Sequence, residues 1–236
     1  MDEEKIRNEA IEFAKKNKKR IAKELTDIKK YTTDIVPISI FMAGSPGAGK
    51  TEFSKNLIKT EEDPNYTIVR IDGDELRELM PGYSGSNSYL FQGAVSLIVE
   101  KMHDLALHRK QSFVLDGTFT KYEKAVENIQ RSLEKDRKVF IFYLYQRPEL
   151  AWKFTLAREL AEGRNIPKPV FIEQFVKARE TIEKIFAEFD NKIMLFIVKK
   201  DFEKNTEETR WIKKGGSGID AFIGKRYTKD ELEKLL

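Results

Sequence analysis

Apolar residues along the chain follow two patterns, a helical repeat and a series of short unbroken runs. Residues 3–28 place apolar side chains at a period near 3.6, with charged residues between them, which predicts one amphipathic helix. The short runs predict buried strands at residues 38–43, 66–71, 112–115, 139–145 and 193–198. Helical patterns separate these strands at residues 50–59, 87–108, 121–136, 149–162 and 171–189.

Strands that alternate with helices predict an α/β fold, in which a parallel sheet carries helices on both faces and the crossovers are right-handed. Here the alternation runs from residue 38 to residue 198, and the amphipathic helix precedes it. Residues after 200 are less regular. Residues 215–218 are typical of a flexible connector or tight turn, and Thr228 with Glu231 resembles a capping box that opens a last short helix.

Composition narrows the class of protein. A chain of 236 residues suits one α/β domain with extensions. The absence of cysteine excludes disulfides and thiolate metal sites, and the two histidines, His103 and His108, suit packing or surface roles on a helix better than metal ligation. The 43 basic and 39 acidic residues are interleaved, which favours solvated helix faces over nucleic-acid binding. With no membrane-length apolar run and no segment like a signal peptide, we expect a soluble cytoplasmic protein with no membrane partner.

The segment Gly-Ser-Pro-Gly-Ala-Gly-Lys-Thr matches the phosphate-binding pattern G-x-x-x-x-G-K-[ST] at every defined position, between a predicted strand and a predicted helix. Its glycines turn backbone N–H groups towards phosphate oxygens, and the helix adds its positive N-terminal end. We expect Lys50 to reach the β- and γ-phosphates of ATP and Thr51 to hold Mg²⁺. The predicted nucleotide-binding residues are Gly44, Ser45, Pro46, Gly47, Ala48, Gly49, Lys50, Thr51 and Glu52. The pattern predicts a P-loop NTPase-like fold.

Three aspartates follow predicted strands and are expected at the edge of the sheet where the P-loop lies. Asp72 and Asp74 follow the second strand, and Asp116 follows the third. In open α/β sheets, ligands bind beyond the carboxyl ends of the strands. These positions therefore converge on the predicted nucleotide.

Phosphoryl transfer to a hydroxyl needs a group that accepts its proton, and carboxylates serve this role. We assign Asp74 as the general base and Asp72 to the Mg²⁺ shell, because alternate residues of an extended segment face the same way. Asp116 and Thr118 are expected either to bind the acceptor's hydroxyls or, for Asp116, to act on Mg²⁺ in the Walker B manner. The simpler alternatives are a helix N-cap for Asp74 and a turn residue for Asp116.

Two arginines flank the end of a predicted helix and a segment bounded by glycine and proline. Arg158 and Arg164 are candidates for stabilising the charge that develops on the transferred phosphoryl group. The segment between them could close over the nucleotide as a lid. The alternative is that Arg158 pairs with Glu159 or Glu162 on a solvated helix face.

These motifs, taken in order, resemble the zeta-toxin family of P-loop kinases. The resemblance rests on the P-loop, on Ile-Asp-Gly-Asp-Glu-Leu-Arg with Pro81 after it, on Leu-Asp-Gly-Thr, and on Arg158-Glu with Gly163-Arg-Asn, and it covers residues 37–200. It implies phosphorylation of the 3′-hydroxyl of UDP-N-acetylglucosamine with ATP and Mg²⁺, and an antitoxin partner that obstructs the ATP site. It implies catalytic roles for Lys50, Asp74, Arg158 and Arg164.

The chain also departs from the family's best-known members. Asp116 stands where they have glutamate, and residues 83–92, where acceptor specificity should be set, do not look like theirs. Another small hydroxyl-bearing substrate therefore stays open. So do a nucleotide, antibiotic or polynucleotide kinase, and a nucleotide-binding switch that transfers no phosphate.

Three regions are expected along the chain: an N-terminal helix and connector at residues 1–36, a P-loop kinase domain at 37–200, and an extension at 201–236 packed on that domain. A P-loop sheet does not require the N-terminal helix. Its regular apolar stripe favours a permanent packing role. A built-in inhibitor of the ATP site is the alternative.

Overall fold

One six-stranded sheet organises the protein. The computed structural model describes residues 3–59, 67–201, 206–213, 215–216 and 218–236. The strands are β1 (Ile38–Ala43), β2 (Val69–Asp72), β3 (Phe113–Asp116), β4 (Lys138–Tyr145), β5 (Met194–Asp201) and β6 (Thr206–Ile212). They lie in the order β2-β3-β1-β4-β5-β6, and β1 to β5 are parallel. The predicted α/β class is confirmed, although residue 66, the predicted start of the second strand, lies outside the described residues.

The sixth strand was not predicted. β6 runs antiparallel to β5, so the sheet is mixed rather than wholly parallel. Its sequence, Thr-Glu-Glu-Thr-Arg-Trp-Ile, lacks an apolar face, because six of the seven positions at this sheet edge are exposed. Charged side chains are a usual way of protecting an edge strand from pairing with other chains.

Helices precede the first strand, separate β1 to β5 and follow the last strand. They are α1 (Glu3–Leu25), α2 (Lys50–Lys59), α3 (Gly73–Arg77), α4 (Gln92–His108), α5 (Tyr122–Leu133), α6 (Pro148–Glu162), α7 (Lys168–Phe189), α8 (Ile219–Ile223) and α9 (Lys229–Leu235). The predicted capping box at Thr228 and Glu231 opens α9. The helix predicted at 87–108 begins as a 3₁₀ turn at Ser88–Phe91. In the part of the chain that the structure describes, no helix is both long and apolar enough to cross a membrane.

The two faces of the sheet are covered unequally. The main core lies on one face, beneath α4, α5 and α7. On the other face, α2 lays Phe53, Leu57 and Ile58 against a smaller cluster that includes Met42 and Val114. Helices therefore flank both faces, as predicted.

The N-terminal helix packs against α4. Ala10, Ala14 and Ala22 are fully buried along its inner face, and their small side chains allow the two helices to approach closely. It ends three residues before the predicted boundary. The side chains of Arg109 and Gln111 donate to the carbonyl of Thr26, at 2.6 and 3.0 Å, which ties down the chain just after α1. These contacts favour the packing role over the inhibitory one.

The order of the strands places three loops at one crevice. β1 lies between β3 and β4, and the chain leaves β1 towards β2 before it returns and crosses to β4. Such a reversal of direction opens a ligand-binding crevice at the carboxyl ends of the strands. The loops that follow β1, β2 and β3 meet at this edge.

Candidate active site

The loop between β1 and α2 has the backbone of a phosphate cradle. Gly44 and Gly47 have φ angles of +139° and +70°, a region that side chains rarely adopt. A Cβ atom on Gly47 would lie 2.0 Å from the carbonyl oxygen of Ala151, and one on Gly44 would lie 2.5 Å from that of Leu144. The cradle is therefore wedged against the end of β4 and the first turn of α6, where only glycine fits.

Lys50 folds back over this cradle. Its Nζ donates to the carbonyl oxygens of Gly44 and Ser45, at 3.0 and 2.6 Å. Burial lowers the pKa of Lys50 to about 8, against the opposing effect of the negative charges of Asp116 and Asp74. The ammonium is therefore held at the cradle beside two carboxylates, in a place where phosphate oxygens would favour its charged form.

The other predicted loop residues surround the start of α2. Ser45 and Ala48 are buried, while Thr51 is half-buried in the first turn of the helix. The carboxylate of Glu52 is largely exposed and lies 3.9 Å from Nζ of Lys200. Glu52 thus points at a neighbouring strand and contributes its backbone to the helix N-terminus.

Asp74 is the carboxylate most surrounded by positive charge. It accepts from Nη1 of Arg77 and from Nη1 of Arg164, and Nη2 of Arg158 lies 3.8 Å from its Oδ2. Burial alone would raise the pKa of Asp74, but Arg164, Arg77 and Arg158 outweigh it and lower that pKa. The side chain is therefore ionised at neutral pH.

Asp72, the last residue of β2, and Asp74 do not face the same way, contrary to the prediction. Asp72, not Asp74, is the N-cap of α3, since its Oδ1 accepts from the Asp74 N–H at 2.8 Å. The helix begins at Gly73, so the backbone is not extended between the two residues. Asp72 consequently turns towards the sheet, whereas Asp74 turns towards the arginines.

Asp72 and Asp116 form a buried pair below Asp74. They are direct partners in the register of β2 and β3, and their side chains are 6% and 4% exposed. Burial, together with the charges of Asp116 and Asp74, raises the pKa of Asp72 to about 6. Oδ2 of Asp116 accepts from Ser54 Oγ and from Arg70 Nη2, both at 3.0 Å. These contacts tie Asp116 to α2, the helix that follows the P-loop.

Arg158 and Arg164 lie across the cradle from Lys50. Both line a narrow cleft together with Pro46, Gly47, Thr155 and Ile166. Arg158 also pairs with Glu162 along α6, at 2.9 Å, so the simple helix-face pairing occurs together with the approach to Asp74. The structure thus brings both arginines to the P-loop.

Thr118 lies at the base of the cradle. Its carbonyl oxygen accepts from the N–H of Gly44 at 3.3 Å, and its hydroxyl is 3.2 Å from that of Thr120. Thr118 therefore borders the P-loop and lies two residues beyond the buried Asp116.

The segment predicted to set acceptor specificity packs against the end of α6. The ring of Tyr83 contacts that of Phe91 edge-on, and the side chain of Asn87 bonds the carbonyl of Gly82 and the N–H of Ser84. At Gly85 the backbone comes so close to α6 that a Cβ would lie 2.4 Å from the carbonyl oxygen of Glu162. This loop and the segment carrying Arg164 are thus in direct contact.

Sequence reasoning gave no role to Ser54, Arg70 or Arg77. Arg77 donates to Asp74 and, at 2.7 Å, to Gln92 Oε1, so it holds the carboxylate from behind. A signal for Arg70 was present: it is a charged residue inside an otherwise apolar run, two positions before Asp72 and hence on the same face of the strand. Ser54 follows Thr51 by one helical turn, and nothing in its local sequence marks it out.

The charged side chains of the site form a dense network, in which Arg70 and Arg158 also pair with Glu75 and Glu162. Three carboxylates, those of Asp72, Asp74 and Asp116, are surrounded by five cationic side chains. The cations are Lys50, Arg70, Arg77, Arg158 and Arg164.

The donor set suits a magnesium ion that is shared with a nucleotide. Among the residues that the structure describes, no group of three or more histidines, cysteines or carboxylates forms a metal cage. Magnesium, however, binds through one or two carboxylates together with phosphates and water. The hydroxyl of Thr51 and the carboxylates of Asp72 and Asp116 are oxygen donors of that kind.

Comparison with known proteins gives a family and a fold. A family model described as zeta toxin matches residues 22–211. A structure from the PezAT chromosomal toxin–antitoxin system of Streptococcus pneumoniae is similar over 94% of this chain and 90% of that chain, with a TM-score of 0.66 and 21% identity. The AvrRxo1-ORF1:AvrRxo1-ORF2 complex with ATP is similar over 88% of this chain and 64% of that chain, with a TM-score of 0.58 and 16% identity. At these identities the likenesses show a shared fold.

A sequence relative of another kind matches a shorter stretch. HslU, the ATPase subunit of an ATP-dependent protease from Rickettsia felis, is 32% identical over 101 residues, which are 42% of this chain. The match spans only 20% of the length of HslU.

Proposed function

The chain belongs to the zeta toxin family, and from that membership we propose that it is a kinase that transfers the γ-phosphate of ATP to a hydroxyl of a small metabolite. The observation that carries the proposal is the position of Asp74, at the mouth of the P-loop and between Arg164 and Arg158. A nucleotide-binding site alone needs no ionised carboxylate at that point. A transferase needs one.

The nucleotide would be held by the P-loop. Backbone N–H groups of the cradle and the N-terminus of α2 face the phosphates, and Lys50 exchanges its two carbonyl partners for phosphate oxygens. ATP as the nucleotide is supported by the similar fold of the AvrRxo1 complex, which contains ATP. Because that substrate is cytoplasmic, we place the activity in the cytoplasm.

The transfer step follows from the arrangement of charges. The acceptor's hydroxyl oxygen forms a bond to the γ-phosphorus, the bond from that phosphorus to the bridging oxygen of ADP breaks, and Asp74 takes the hydroxyl proton. Arg158 and Arg164 stabilise the charge on the transferred group and the bridging oxygen. The products are ADP and a phosphate monoester.

Magnesium would be held at Thr51, Asp72 and Asp116. When bound, it neutralises charge on the β- and γ-phosphates. For Asp116 this role is favoured over acceptor binding, because its side chain is buried against Ser54 and Arg70 rather than open to a substrate. Thr118, whose carbonyl oxygen accepts from the N–H of Gly44, remains the candidate for the acceptor's hydroxyls.

UDP-N-acetylglucosamine is the first acceptor to test, because family membership points to it. The loop at residues 82–91, which contacts the end of α6, would line the acceptor side of the site and set its specificity. An antitoxin protein is proposed as a partner, since the similar pneumococcal structure comes from a toxin–antitoxin system. Other small hydroxyl compounds fit the same chemistry.

The competing function is ATP hydrolysis without transfer, as in a nucleotide-driven switch. The partial match to the HslU ATPase supports this alternative. The two functions separate in one experiment. The protein is incubated with ATP and a cell metabolite extract, and mass spectrometry identifies any metabolite that gains a phosphate. The kinase predicts one dominant phosphorylated product that is absent with Lys50→Ala. A switch predicts ADP and inorganic phosphate alone.

A further inference from the structure

Arg70 lies at the centre of the buried polar network beneath the P-loop. Its side chain, on β2, is 10% exposed. The guanidinium donates to Asp72 Oδ2, to Asp116 Oδ2 at 3.0 Å, and to Glu75 on α3, while its Nε donates to Ser54 Oγ at 3.1 Å. One side chain thus joins β2, β3, α2 and α3.

The network has a clear electrostatic need for this arginine. Asp72 and Asp116 are paired across adjacent strands, and both are nearly inaccessible to water. Two buried carboxylates on adjacent strands repel each other unless a cation lies between them. Arg70 contacts both, and a planar guanidinium is the side chain best able to bridge several oxygens at fixed angles.

The same contacts lead to the P-loop. Ser54 Oγ, which carries a single proton, lies 3.0 Å from Asp116 Oδ2 and 3.1 Å from the carbonyl oxygen of Thr51. The negative charge of Asp116 also raises the pKa of Lys50. Arg70 is therefore linked through Asp116 and Ser54 to the first turn of α2, where Lys50 and Thr51 lie.

We propose that Arg70 is a positioning residue that fixes the Asp72–Asp116 carboxylate pair against α2, so that the pair can hold the magnesium-bound nucleotide. This role rests on the proposed function only in its last step, the use of the bound nucleotide for transfer. Arg70 is 10% exposed, and its contacts are with protein groups. Its effect on the nucleotide passes through Asp72 and Asp116.

Nucleotide affinity tests this role without any turnover. The dissociation constant of the non-hydrolysable analogue AMP-PNP is measured by calorimetry with and without Mg²⁺, for wild type, Arg70→Met, Asp116→Asn and the double variant. We expect the gain in AMP-PNP affinity that Mg²⁺ gives to be about tenfold smaller in Arg70→Met than in wild type. That is the usual size of the effect when a residue that supports a metal ligand is changed. We expect the double variant to lose less than the sum of the two single losses, because Arg70 acts partly through Asp116. Arg20→Met, which removes an exposed arginine paired along α1, is the control and should match wild type.

Two results would overturn the role. One is a magnesium-dependent gain in Arg70→Met equal to that of wild type. The other is an additive loss in the double variant, which would make Arg70 independent of Asp116. If Arg70→Met does not fold at the assay temperature, Arg70→Lys replaces it in the same cycle, since lysine keeps the charge but cannot bridge the pair. A wild-type protein that binds AMP-PNP but transfers no phosphate would refute the proposed kinase and leave this test intact.

Discussion

Asp74 shares two of its three arginines with the place where a nucleotide's phosphates would bind. Arg164 donates to it, and Arg158 lies 3.8 Å from it. Phosphate oxygens would compete with this carboxylate for the same guanidinium groups. The carboxylate that would accept the proton is thus also the counter-ion of the groups that would stabilise the transferred phosphate.

The competition gives Asp74→Asn a distinctive pair of effects. We expect phosphate transfer to fall by about 10²–10⁴, the usual contribution of a positioned base. We expect AMP-PNP to bind more tightly than in wild type, because Arg158 and Arg164 lose a competing charge. Stopped-flow transfer rates and calorimetry measure the two effects. Weaker nucleotide binding with an unchanged rate of transfer would instead make Asp74 a metal ligand.

Lys50 should make nucleotide affinity depend on pH. Burial lowers its pKa to about 8 from an ordinary value of 10.5, and phosphate oxygens favour the charged ammonium, so nucleotide binding raises that pKa. Nucleotide binding therefore takes up a proton at pH values between the pKa of Lys50 in the free protein and its higher pKa in the complex. As the pH rises through that window, the affinity for the nucleotide falls by up to about tenfold per pH unit. Below about pH 7, where Lys50 is already charged, this contribution is flat.

The matched variant for this effect is Lys50→Arg, whose charge persists throughout the window. We expect its AMP-PNP affinity, measured by calorimetry across the same pH range, to lose the decline seen in wild type. An identical decline in the variant would assign the titration to another group.

At the scale of elements, the contact between the 82–91 loop and α6 can be tested with two glycines. Gly82 and Gly85 have φ angles of +79° and +66°, so alanine is strained at both. Only at Gly85 would the added Cβ meet backbone, at 2.4 Å from the carbonyl oxygen of Glu162, whereas nothing lies within 4 Å at Gly82. Gly82→Ala therefore reports the backbone strain alone.

We expect Gly85→Ala to raise the Michaelis constant for the acceptor several-fold more than Gly82→Ala, because it pushes the loop away from the segment that carries Arg164. Steady-state kinetics with each substrate varied in turn measures this difference. Equal effects of the two substitutions would mean that the contact between loop and α6 has no part in binding the acceptor.

The N-terminal helix is expected to be structural. Deleting residues 1–30 exposes the surface of α4 that Ala10, Ala14 and Ile21 cover. Burying one large apolar side chain contributes about 1.5–3 kcal/mol, and the net stability of a domain is only about 5–15 kcal/mol. We therefore expect an insoluble or strongly destabilised truncation in thermal unfolding. A truncation as stable as the full chain and more active would make α1 an inhibitor.

At the scale of the whole molecule, the sequence predicts what depends on local pattern and parallel topology. The P-loop motif and the alternation of strands and helices place Lys50, Asp74 and Asp116 at one edge, because parallel strands end on the same side. The catalytic roles of Arg158 and Arg164 could be predicted only from the resemblance to the family. On its own, Arg158 is equally consistent with an ion pair on a helix face.

What the sequence does not predict depends on register and on chain direction. The role of Arg70 follows from the pairing of Asp72 with Asp116, and that register appears only when β2 and β3 are side by side. The capping role fell to Asp72 because α3 begins at Gly73, two residues before the start that a cap at Asp74 would give. β6 has no apolar face to mark it, because the edge strand leaves nearly every side chain exposed.

The most direct test of the proposed kinase activity follows the γ-phosphate of ATP by phosphorus NMR. The reaction contains UDP-N-acetylglucosamine or the acceptor identified from the metabolite extract. Wild type is predicted to produce ADP and a phosphate monoester in equal amounts, and Asp74→Asn is predicted to bind the nucleotide and produce almost none. Inorganic phosphate as the sole product of wild type, or a monoester formed by Asp74→Asn at the wild-type rate, would contradict it.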